Sequence, residues 1–159
     1  MWNYSESVEL ASFQFTCVLF AVSQISILHD RMPDDYAAVV KNYLGFFMKY
    51  RDVLLGGEMM YKNYSADFSY VSSRRGNVQV GAVYSGRIAY LERVTDHAVV
   101  VNASLGDEVL LYADFSGLYE YKVYDCMGGE CGTGKVALGC SPVPVELSIN
   151  DRIELKRIA

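Results

Sequence analysis

The pair Gly56-Gly57 divides this chain into two textures, and that break constrains the fold more than any other feature. Before it, apolar residues recur every three or four positions, the period of a helix. After it, they alternate and are cut by turn signals every eight to twelve residues, the habit of short strands. The break predicts an α+β chain: two N-terminal helices packed on or next to a C-terminal antiparallel β-sandwich. Residues 1–57 form the helical segment and 65–159 the sandwich.

Leu10 to Leu28 carries no charge. Ser12, Gln14, Thr16, Ser23, Gln24 and Ser26 would each place a polar group in lipid, and no basic flank follows, so the stretch reads as a helix buried by protein on all sides rather than a membrane span. The second helix is better marked. Asp30 and Asp34-Asp35 surround Pro33, supplying capping oxygens and favourable dipole charge. Tyr36, Val40, Tyr43, Phe47, Tyr50 and Leu54 then form one apolar stripe, a core-packing pattern. Gly56-Gly57 is expected to stop the helix in the left-handed conformation that glycine adopts freely.

The strands are expected over Phe68–Arg74, Val78–Ser85, Arg87–Glu92, Ala98–Ala103, Glu108–Asp114, Tyr119–Tyr124, Lys135–Leu138, Val143–Ser148 and Arg152–Ile158.

Composition excludes several functions. With 14 Lys+Arg against 19 Asp+Glu, a net charge of −5 argues against nucleic acid or anionic membrane as partner, since both need a basic face. Met1 to Ser7 lacks the basic start of a secretory signal, and the four cysteines (Cys17, Cys126, Cys131, Cys140) do not read as a secreted staple set, so the expected address is cytoplasmic. For the same reason the acceptor pattern at Asn3, Asn63 and Asn102 is discounted.

No chemical motif survives inspection. Gly129 to Lys135 has the GxxxxGK spacing of a phosphate loop, but Val136 stands where Ser or Thr must hold Mg²⁺, and Pro142 and Pro144 oppose the helix that should follow. It reads as a glycine-rich connection between strands. Cys126, Cys131 and Cys140 lack the paired spacing of a zinc site, and His29 and His97 read as ordinary surface or capping histidines. Asp34-Asp35 and Asp107-Glu108 sit at a helix start and a turn, where acids are expected anyway. Catalytic residues, metal and cofactors are therefore expected to be none. The tyrosines alone suggest a ligand: Tyr119 and Tyr121 share one strand face, and Tyr84 and Tyr112 lie on neighbouring strands. Aromatic faces on a sheet can stack on sugar rings, although tyrosine also simply packs well there.

Phe15 to Leu55 carries a resemblance. Val18-Leu19-Phe20-Ala21-Val22-Ser23-Gln24-Ile25-Ser26, Leu28-His29-Asp30, Tyr43-Leu44-Gly45-Phe46-Phe47 and Tyr50 to Glu58 resemble the tail of melibiase-type α-galactosidases, where the last barrel helices precede a C-terminal antiparallel sandwich. Val80 to Ser85, Val100 to Ser104 and Tyr121 to Cys126 stand in comparable places. The resemblance implies a retaining glycoside hydrolase whose two catalytic aspartates lie on barrel strands upstream. A (β/α)8 barrel takes more than about 200 residues, which these 159 cannot contain, so no catalytic residue carries over. The implied role is a non-catalytic domain that braces a missing barrel. The alternatives are a stand-alone carbohydrate-binding module using the sheet tyrosines, or an oligomerisation domain meeting a second copy through residues 8–28.

Overall fold

The computed structural model describes residues 7–23, 32–63 and 68–159. Two helices, α1 (Val8–Cys17) and α2 (Asp34–Gly56), precede ten strands: β1 (Glu58–Lys62), β2 (Tyr70–Arg75), β3 (Val78–Val83), β4 (Ile88–Leu91), β5 (His97–Asn102), β6 (Glu108–Ala113), β7 (Gly117–Tyr124), β8 (Glu130–Leu138), β9 (Val143–Glu146) and β10 (Arg152–Arg157). The α+β class holds. Among the described residues the strands make a seven-stranded sheet, ordered β1-β2-β3-β5-β10-β7-β8, and a three-stranded sheet, β4-β6-β9.

The pairing corrects the all-antiparallel expectation. β3 and β5 run parallel, as do β4 and β6, because each intervening strand leaves for the other sheet. β4 joins the small sheet between β3 and β5, and β5 joins the large one between β4 and β6.

Alternation along the strands sorts side chains into two clusters. Val80 and Ala82 of β3, with Val99 and Val101 of β5, face the helices and pack against Phe15, Leu19, Val39, Tyr43, Phe46 and Tyr50. Ala98 and Val100, with Ile153 and Leu155 of β10, face the opposite way and pack with Leu91, Val109 and Leu111 of the small sheet. Ile153, Leu155, Val109 and Leu111 are completely buried, each contributing roughly 1.5–3 kcal/mol of transfer free energy. The helices therefore share a core with the large sheet.

α1 is shorter than the uncharged run from which it was read. Ser7 caps it by accepting from the Leu10 amide, and after Cys17 the chain tightens into i→i−3 bonds, Val18 to Phe15 and Leu19 to Thr16. Leu19 turns inward and is buried, whereas Leu10, Val18 and Val22 remain exposed, so the run is not buried on all sides. Residues 24–31, including His29 and Asp30, lie outside the described residues.

α2 begins after Pro33 without a side-chain cap; Asp34 and Asp35 lie in its first turn. Its buried face is Tyr36, Val39, Tyr43, Phe46, Tyr50, Val53 and Leu54, with Val40 and Phe47 on the flank rather than on the central stripe. Phe15 stacks on Tyr43 at 4.1 Å between ring centroids, fixing α1 to α2. At the C-terminus Gly57 is extended (φ −86°), not left-handed as expected. Glycine is needed there for space: an added Cβ would lie 2.5 Å from the Val53 carbonyl oxygen and 2.8 Å from that of Arg74.

Candidate functional site

Tyr119 and Tyr121 share one face of β7, as their spacing predicts, but Tyr84 and Tyr112 do not join them there. Tyr119 is completely buried between the sheets and donates to the Thr95 carbonyl, which leaves it no ring face for a ligand. Tyr121 packs partly against the same cluster, its ring lying over Gly134 of β8; a Cβ on Gly134 would come within 2.7 Å of the phenolic oxygen. Tyr84 sits on the helix side, donating to the Thr16 carbonyl at 2.8 Å. Tyr112 belongs to the small sheet, where its ring meets Tyr90 edge-on at 5.7 Å. The physical reason is parity: neighbouring strands that alternate correctly need not present the same face.

The glycine-rich segment is itself strand β8, paired with β7 from Glu130 to Leu138. Gly132 stands opposite Val123, and Gly134 opposite Tyr121. The cysteines are free thiols; Cys126 is buried, and its pKa is pushed up to about 11 by burial first and then by nearby acids. Among the described residues no group of three His, Cys, Asp or Glu is placed to hold a metal. Asn102, the discounted glycosylation acceptor, is completely buried, with its amide bound to the Gly106 and Leu147 carbonyls.

One polar assembly among the described residues had no signal as a whole in the local pattern. It lies where α2 crosses β5 and β10. The Tyr50 hydroxyl donates to Glu154 Oε2 at 3.1 Å and lies 2.7 Å from His97 Nε2. The phenol has one proton and the carboxylate only accepts, so His97 Nε2–H is the donor to Tyr50, which assigns the imidazole tautomer. Lys49 Nζ donates to Glu154 Oε2 at 2.7 Å, and Arg152 Nε reaches Oε1 at 3.4 Å. Arg152 also donates to Asn42 Oδ1 at 2.9 Å, its guanidinium 4.6 Å from the Tyr124 ring centre and 5.6 Å from that of Phe46. His97 is thus no simple surface histidine.

Electrostatics follow from this packing. Burial alone would raise the Glu154 carboxyl, but the Lys49 ammonium, the Tyr50 hydroxyl and the Arg152 charge outweigh it and hold it below the usual range. Burial holds the His97 imidazole below its ordinary value, against the pull of Glu154 and with the help of Lys49 and Lys156. Tyr50 is driven far above the ordinary phenol range by burial and by Glu154. A neutral imidazole, a fixed phenol and a fully bonded carboxylate make a clasp between helix and sheet.

One strand, β10, offered a sequence signal. Arg152, Glu154 and Lys156 alternate with Ile153 and Leu155, so their polar face was legible, but its location beneath a helix was not. Beyond α2 the same face continues as a groove of about 560 Å³ lined by His97, Glu120, Lys122, Thr133, Lys135 and Lys156. A second groove, of about 470 Å³, contains Cys131, Glu146 and Asp151; the Asp151 carboxyl is pushed up to about 6 by burial and by Asp125.

Among the described residues no helix is long and apolar enough to cross a membrane. No family model, curated protein or solved structure matches this chain.

Proposed function

We propose that the chain is a non-catalytic C-terminal portion of an α-galactosidase-like glycoside hydrolase, and that it braces the catalytic barrel through α2. The observation that carries this reading is that α2 is apolar on two sides. Its inner side packs on β2 and β3, while Leu44, Met48 and Leu55 stand 43%, 68% and 41% exposed on the outer side. A helix apolar around most of its circumference serves two layers, as an outer barrel helix does when a further domain covers it. Leu10, Val18 and Val22 extend the uncovered apolar surface along α1. In this reading the two sheets close over their shared cluster as the β-sandwich that follows the barrel, and Tyr43 to Leu55, which carry the resemblance, are the helix shared between the two parts.

The test is complementation. Mixed with a melibiase-type barrel that lacks its own C-terminal part, the chain should co-elute with it and restore hydrolysis of a chromogenic α-galactoside; alone it should hydrolyse none. Leu44→Glu with Met48→Glu should abolish co-elution while leaving the circular dichroism unchanged. Turnover by the chain alone that disappears on substituting one of its own Asp or Glu residues would overturn the proposal. Calorimetric heat with millimolar galactose or raffinose would favour the binding-module reading, and a dimer broken by the same double substitution would favour self-assembly.

A further inference from the structure

A groove of about 530 Å³ lies between α2 and the turn joining β7 to β8, on the other side of the Tyr50 clasp from the 560 Å³ groove. Three cations line it: Lys41, Lys49 and Arg152. On a chain of net charge −5 this is a local inversion of sign. The acid in the groove, Glu154, has one oxygen engaged by Lys49 and Tyr50 and the other by Arg152. Asp125, at the adjacent turn, directs its carboxylate to the Met127 and Gly129 amides of its own loop. Lys41 forms no ion pair among the described residues.

Gly45 gives the second, independent observation. Lys41, Gly45 and Lys49 are spaced four residues apart and share one side of the helix, with the lysines separated by roughly 12 Å of axis. A glycine inside a helix costs about 1 kcal/mol relative to alanine. Nothing lies within 4 Å of a Cβ built on Gly45, so no packing inside the chain demands it. Its effect is a notch between two ammonium groups. Arg152 forms the floor, pre-oriented by Asn42, Tyr124 and Phe46. The far wall is the turn at Met127 and Gly128, pinned because Asn42 donates to the Cys126 carbonyl at 2.9 Å.

We infer that this groove binds a small oxyanion ligand, a molecule bearing carboxylate or phosphate groups, through Lys41, Lys49 and Arg152 with Gly45 leaving the room. The inference does not rest on the bracing role. The test is an amide and Arg Nε–H NMR titration of the chain with sodium phosphate and with sodium citrate, each against sodium chloride of equal ionic strength. Saturable shifts are expected at Gly45, Gly128 and Arg152. Response to phosphate alone or citrate alone identifies the group preferred; response to both supports general oxyanion recognition. Lys41→Gln, at an exposed position, should weaken binding about fivefold. Gly45→Leu should abolish it with the fold intact, since its Cβ enters open space. The inference is overturned if neither anion gives a saturable shift by about 50 mM, if chloride gives the same shifts, or if binding survives Gly45→Leu.

Discussion

Asn102→Asp exchanges one atom and should cost more than most truncations. Asn102 is completely buried at the end of β5. Its Nδ2 donates to the Gly106 carbonyl at 2.7 Å and the Leu147 carbonyl at 2.6 Å, and its Oδ1 accepts from the Ser104 amide at 3.1 Å and hydroxyl at 2.7 Å. It therefore holds the β5–β6 loop and the segment after β9 to one point. A carboxylate in the same place keeps the Ser104 bonds but turns an acceptor towards two carbonyls. Leaving the buried Leu147 carbonyl unpaired costs about 1–3 kcal/mol, and losing the part-buried bond to Gly106 adds about 1 kcal/mol, so the loss at pH 7 should be about 2–4 kcal/mol before any cost of burying the charge. For a chain of this size that lowers the melting temperature by about 10 °C. The introduced acid, facing carbonyls and out of water, should have its pKa raised, so the folded state takes up the proton first and the penalty shrinks as pH falls through that value. Urea unfolding followed by circular dichroism at pH 7 and pH 4.5, with Asn102→Ala as a control, measures both effects. A loss below about 1 kcal/mol at pH 7, or a penalty equal at the two pH values, would refute the reasoning.

Gly57→Ala should destabilise by about 2 kcal/mol or more in urea unfolding, because its Cβ meets two backbone oxygens that cannot move independently. Gly45→Ala should do the reverse, raising stability by about 1 kcal/mol, since its Cβ meets nothing. His97 should titrate below about 6.5 by NMR. Its folded value lies under the unfolded one, so its contribution to stability is present above the ordinary imidazole value and is lost as pH falls through the folded value; His97→Gln should flatten that part of the pH–stability curve.

The nine strands expected from alternation and turn residues all occur, eight of them within two residues at their ends and β8 beginning five residues before the expected Lys135, because the period of two is a local property that burial on one face enforces. The exception is instructive. β1, Glu58–Lys62, has no clean alternation and is an edge strand beside β2, with only partial burial to pattern it. Gly132 and Gly134 misled in another way: read along the chain they resemble a turn, whereas across the sheet they are the gaps in which Val123 and Tyr121 lie.

The order of apolar and polar residues settled the long helix and most of the strands, since those follow from periods of 3.6 and 2, but not β1, the start of β8 or the end of α1. Tertiary structure alone decided the rest: that β4 leaves the large sheet and makes β3 and β5 parallel neighbours, that Tyr84 and Tyr112 part company with Tyr119 and Tyr121, and that Tyr50, His97, Glu154 and Arg152 meet. The reason is that period constrains a residue relative to its own strand or helix, while strand partnership and the meeting of side chains 47 and 104 positions apart depend on how whole elements cross, which no local pattern encodes.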